Sequence, residues 1–131
     1  MCPCPAAASL CLAALSVSLG CAAPALRAPQ READPRAVLE RFSAAVGEHR
    51  WDEAYPLLSA RWRARETPSR LATDLAAAGP AGRDVVQRVR ALLAAGAAVT
   101  VDGEMATLPI GPDRAARLVR EGDVWRVDAL E

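Results

Sequence analysis

The feature that most restricts the fold of this chain is a change of hydrophobic period near Ala97. Ahead of it, apolar residues recur at helical spacing: Val38, Leu39, Phe42, Ala45 and Val46 share one face, and so do Val85, Val86, Val89, Leu92 and Leu93. Behind it they alternate, first Val99 and Val101 with Thr100 and Asp102, later Trp125, Val127 and Ala129 with the residues between them. Side chains three or four apart meet on a helix, whereas side chains two apart share one face of a strand, so the switch divides a helical part from a strand part. Helices followed by short strands predict an α+β domain, with the N-terminal helices packed against a C-terminal antiparallel sheet.

Local signals divide those two parts further. Asp34-Pro35 and Thr67-Pro68 each combine an N-cap side chain with a proline where no helical N–H is needed, so each predicts a helix start. Gly47 and Gly96 predict helix ends, and Gly79-Pro80 a break between two helices. A short helix is expected from Trp51 to Leu58, with Trp51, Ala54, Tyr55 and Leu58 on one face. Turn signals at Asp102-Gly103, Gly111-Pro112-Asp113 and Glu121-Gly122-Asp123 separate strands predicted over Met105–Ile110, Arg114–Arg120 and Val124–Leu130.

The N-terminus has a different character. All four cysteines, Cys2, Cys4, Cys11 and Cys21, lie in the first 21 residues, around an apolar run from Ala6 to Gly20. That run has the length of a signal-peptide core and is short for a permanent span. The predicted organisation is a signal peptide over 1–20, a Pro- and Ala-rich tether over 21–33 and a domain over 34–131. Leu19-Gly20-Cys21 resembles a bacterial lipobox, although Leu19 stands one place later than that pattern prefers. The resemblance implies a lipid on Cys21 and a place in the cell envelope, at the outer membrane facing the periplasm in a Gram-negative host. Cleavage after Ala23-Pro24-Ala25, releasing a soluble periplasmic or secreted domain, is the alternative.

Composition narrows the chemistry. With no cysteine after Cys21, the domain has no disulfide, thiolate nucleophile or cysteine metal site. Sixteen basic and sixteen acidic residues balance to no net charge, which argues against a dedicated nucleic-acid binder. His49 is the sole histidine and falls in a loop beside Glu48 and Arg50, so neither a metal nor another cofactor is expected. Asp52 and Glu53 project about 100° apart on a helix and suit its positive N-terminal end rather than a catalytic carboxylate pair. Arg61, Arg63 and Arg65 surround Trp62 and read as a solvated charged face, offset by Glu53 and Glu66, with attraction to anionic lipid as the alternative.

Three segments carry a family resemblance: Phe42 in the first helix, Trp51-Asp-Glu-Ala-Tyr-Pro-Leu-Leu58, and Gly122-Asp-Val-Trp-Arg-Val-Asp128. In this order and spacing, from about Arg36 to the C-terminus, they resemble the NTF2-like superfamily, SnoaL-like in type. The resemblance implies a curved sheet wrapped around helices as a cone, here with a short sheet. Its candidate pocket or core residues are Phe42, Trp51, Tyr55, Trp62, Leu71 and Trp125. One scaffold of this kind hosts enzymes, binding modules and assembly domains, so function rests on side chains. The expectation is a non-enzymatic binding or assembly module without catalytic residues, its interior filled by Phe42, Trp51, Leu71 and Trp125. Its partners would be the membrane, through the lipid anchor, and an envelope protein or a small apolar ligand. The alternative is an isomerase- or dehydratase-like enzyme using Tyr55 with Asp74 or Asp128. The sequence leaves the oligomeric state open.

Overall fold

The structure, a computed structural model, describes residues 31–131. The predicted signal peptide, Cys21 and the tether as far as residue 30 lie outside the described residues. Among the described residues from Pro35 onward, five α-helices and one 3-10 turn precede a four-stranded antiparallel sheet, an α+β domain with the element order that the period switch predicts.

Helix α1, Pro35–Gly47, begins as its cap requires, with Asp34 Oδ1 accepting from the Arg36 N–H at 3.0 Å. It ends at Gly47, as the sequence predicts, but glycine does not supply the closing geometry. Gly47 lies within the last turn, and the left-handed residue is His49 at φ 59°. The His49 and Arg50 N–H groups bond back to Val46 and Ala45 at 3.1 and 2.8 Å, so His49 holds the place usually taken by glycine. A Cβ at Gly47 would stand 2.7 Å from Arg90 Nη1, the tip of an exposed side chain that can move aside.

The helix expected from Trp51 to Leu58 is shorter. Helix α2 spans Trp51–Ala54, and Tyr55–Leu57 tightens into a 3-10 turn. Pro56 has no N–H to continue an α-helix and its ring would crowd the carbonyl four residues back. Leu58 is then extended and makes a parallel bridge with Val127. Helix α3, Ala60–Arg63, is a single turn. Helix α4, Pro68–Ala77, is capped by Thr67, whose hydroxyl accepts from the Arg70 N–H at 3.2 Å. The chain reverses at Gly79, φ 58°, into α5, Gly79–Ala94. The Arg36 guanidinium donates to the Leu93 and Ala97 carbonyls at the end of α5, placing a cation where the helix dipole favours one.

The strands are β1 (Thr100–Asp102), β2 (Met105–Gly111), β3 (Arg114–Glu121) and β4 (Val124–Leu130), in that spatial order. One face is covered by the helices, α1 over β4 and α5 over β2. Phe42, Leu39, Val89, Leu108, Leu118 and Trp125 are among the buried residues that join the two layers. Trp51 and Tyr55 are half-buried at the margin of this core.

Strand β4 departs from simple alternation. Leu118 pairs with Val127 but Arg117 pairs with Ala129, which leaves Asp128 as an extra, bulged residue. Side-chain parity flips there. Leu130, paired with the buried Ala116, joins the core side with Trp125 and Val127, and Ala129 turns to the other face beside Arg117. This corrects the expectation that Ala129 shares a face with Trp125 and Val127.

Glu32, read from sequence as tether, is tied to the domain. Its carboxylate pairs with Arg126 on β4 at 2.7 Å and with Arg41 on α1 at 3.3 Å. Burial alone would raise the Glu32 pKa, but these two arginines hold it below the ordinary value. Among the described residues no helix is long and apolar enough to cross a membrane.

Candidate functional site

Phe42, Leu71 and Trp125 are buried in the core and Trp51 packs against it. Between α4, α5 and the end of β4 lies a cleft of about 230 Å³, walled by Phe42, Leu58, Leu71, Leu75, Val127 and Leu130. The bulge in β4 helps to make it, since without the parity flip Leu130 would face away from this wall. The volume is below the roughly 300–1,000 Å³ of sites for drug-sized ligands, so the cleft suits one ring or a short chain. Trp62, 37% exposed, stands at its mouth.

That tryptophan is held by the bulge. Its indole N–H donates to the Asp128 carbonyl, which the strand ladder leaves free, and Arg61 Nη2 donates to the same oxygen at 3.0 Å. The Asp128 carboxylate accepts from the Ser59 hydroxyl at 2.7 Å and from Arg61 at 2.8 and 3.2 Å. Burial would raise the Asp128 pKa, but the Ser59 hydroxyl and the Arg61 guanidinium, with Arg117 farther off, hold it below the ordinary value. Glu121 completes the attachment, accepting from the Ala60 N–H at 2.6 Å and pairing with Arg63 at 3.2 Å.

The arginines around Trp62 therefore have partners other than those expected. Arg61 and Arg63 reach the strand carboxylates Asp128 and Glu121, because one-turn α3 lies along the edge of β4. Glu53 pairs with Arg50 instead. Glu66 is turned inward to line the cleft, its side chain 11% exposed and Oε2 without a hydrogen-bond partner. Arg70 Nε stands 3.9 Å from that oxygen, beyond hydrogen-bond reach.

The six candidate residues separate. Phe42, Leu71 and Trp62 line the cleft. Trp125 is buried in the core, where the Arg120 guanidinium lies 5.9 Å from its ring centre. Trp51 lines a second cleft, of about 370 Å³, with His49, Arg83 and Arg90. Tyr55 donates its hydroxyl proton to the Arg63 carbonyl at 3.0 Å and is not part of the wall that holds Asp74 and Asp128. The trio named for the enzymatic alternative is thus not brought together. Among the described residues no three His, Cys, Asp or Glu side chains are placed to hold a metal ion.

Sequence reasoning missed Glu66 and Leu130. Glu66 precedes a helix cap, where an exposed carboxylate is the ordinary expectation, and Leu130 depends on a bulge that no turn residue announces. Compared with known proteins, the chain matches no family model, no curated protein and no solved structure.

Proposed function

We propose that this chain is a non-enzymatic envelope lipoprotein whose domain binds a small apolar ligand in the cleft beneath β4, tethered to the membrane by a lipid on Cys21. The observation that carries the reading is the cleft itself: a concavity walled by Phe42, Leu58, Leu71, Leu75, Val127 and Leu130 in a domain otherwise packed around one core. Apolar walls with a few polar groups at the margin favour binding by burial of apolar surface. The signal-like run ending at Gly20-Cys21 supports the envelope and the anchor.

The test uses the full chain carrying Cys21→Ser, which needs no detergent that would compete for the cleft. Titration with 1-octanol, followed by methyl NMR, is expected to shift Leu71, Val127 and Leu130 saturably, and Leu75→Trp should abolish the shifts by filling the space. Absence of saturable shifts overturns the binding reading. In the native host, wild-type protein should sediment with membranes and Cys21→Ser should not.

A further inference from the structure

The polar groups at the cleft are of one sign. Every ionisable residue lining it is acidic: Glu66, Asp74 and Asp128. Their situations differ. Asp128 is already served by Ser59 and Arg61. Asp74 is exposed on α4, with Arg70 Nε at 3.8 Å. Glu66 is half-buried, its side chain 11% exposed, and its Oε2 is out of contact with solvent with no hydrogen bond, only a loose ion pair to Arg70 Nε at 3.9 Å. A carboxylate oxygen withdrawn from water costs stability unless a donor, and best a cationic one, replaces the lost hydration.

We infer that the cleft recognises a cationic amphiphile, a short apolar body seated against Leu71, Leu75 and Leu130 with an ammonium or amidinium group on Glu66. This inference rests on the apolar-ligand reading above and adds the ligand's charge. An anionic amphiphile would bring its charge toward three carboxylates. A neutral alcohol would supply one donor without the charge that strengthens the bond to a carboxylate. The Arg70 guanidinium does not already fill this role, because at 3.9 Å it makes no hydrogen bond to Glu66 and its side chain is 66% exposed. The small volume limits the apolar body to a short chain or one ring.

The experiment compares three probes of equal chain length, octylamine, 1-octanol and octanoate, by calorimetry on the full Cys21→Ser chain at neutral pH and low salt. Octylamine is expected to bind about tenfold tighter than 1-octanol, the gain of setting a cation rather than a neutral donor against the carboxylate. Octanoate is expected to bind weaker than either. Glu66→Gln should bring octylamine to the level of 1-octanol, and a cooperative urea transition shows that the variant is folded. Asp74→Asn should keep most of the preference. Equal affinity for octylamine and 1-octanol in the parent chain, or a preference that survives Glu66→Gln, overturns the cationic inference and leaves the apolar cleft standing. Failure of all three probes to bind overturns both.

Discussion

Two clefts meet at Leu75 and Val86, which line both, yet they are built differently. The one beneath β4 has only acidic ionisable residues in its wall, and the one between α1, α4 and α5 has only basic ones, His49, Arg83 and Arg90. The basic cleft is the larger, about 370 against 230 Å³. Its polar side chains His49, Arg83, Gln87 and Arg90, however, are all exposed, on or beside helix surfaces where water serves them. In the acidic cleft Asp128 is fixed by a bulge and three side-chain hydrogen bonds, and Glu66 has one carboxylate oxygen out of contact with solvent. Volume alone would favour the basic cleft. What marks a seat is a polar group held out of water by the fold.

The contrast breaks most severely at the aromatic walls. Phe42 is buried and lines the acidic cleft, so Phe42→Ala should cost about 3–5 kcal/mol in urea unfolding. Trp51, half-buried beside the basic cleft, should cost about 1–2 kcal/mol as Trp51→Ala because much of its surface already meets water. Equal losses would show that the two walls are equally part of the core.

A smaller effect should separate the charged groups by pH. The Asp128 pKa is lowered in the folded chain, so its contribution is present above the ordinary Asp value of 3.8 and is lost as pH falls through the folded value. Asp128→Asn should cost about 1–2 kcal/mol at pH 7 by weakening the contacts to Ser59 and Arg61. The variant should also show a shallower loss of stability below pH 3.8, measured as urea midpoints across the acid range. A parallel acid limb in both proteins would remove Asp128 from the account. The smallest effect belongs to the basic cleft: Arg83→Ala with Arg90→Ala should lie within about 0.5 kcal/mol of the parent chain by the same titration. A larger loss would mean that this cleft, too, is held by its charges.

The parts legible in the sequence are those fixed by neighbours along the chain. Asp34 and Thr67 cap their helices through N–H groups two and three residues away, and the period switch near Ala97 is a matter of adjacent side chains. The site depends on pairs far apart in sequence. Ser59 and Asp128 are 69 residues apart, and only their meeting fixes where the bulge falls and which way Leu130 points. Glu66 is half-buried against the cleft between α3, α4 and the end of β4, a fact about packing that its polar neighbours Arg65 and Thr67 conceal. Trp62 was legible as a large apolar residue among arginines. Its indole bond to the Asp128 carbonyl was not.

The attachment of residues 58–62 to β4 also governs how copies of the chain meet. A strand at the rim of a sheet offers free N–H and C=O groups to any other strand, and here the two rims are unequal. Along β4 the Val127 carbonyl takes the Ser59 N–H at 2.8 Å and the Asp128 carbonyl takes Trp62 and Arg61, so a docking strand finds its acceptors occupied. The opposite rim, β1, is three residues long, with Val101 52% exposed. Strand exchange or fibril growth between molecules crowded on one surface would therefore start at β1, where only the brevity of Thr100–Asp102 and the charge of Asp102 stand against it.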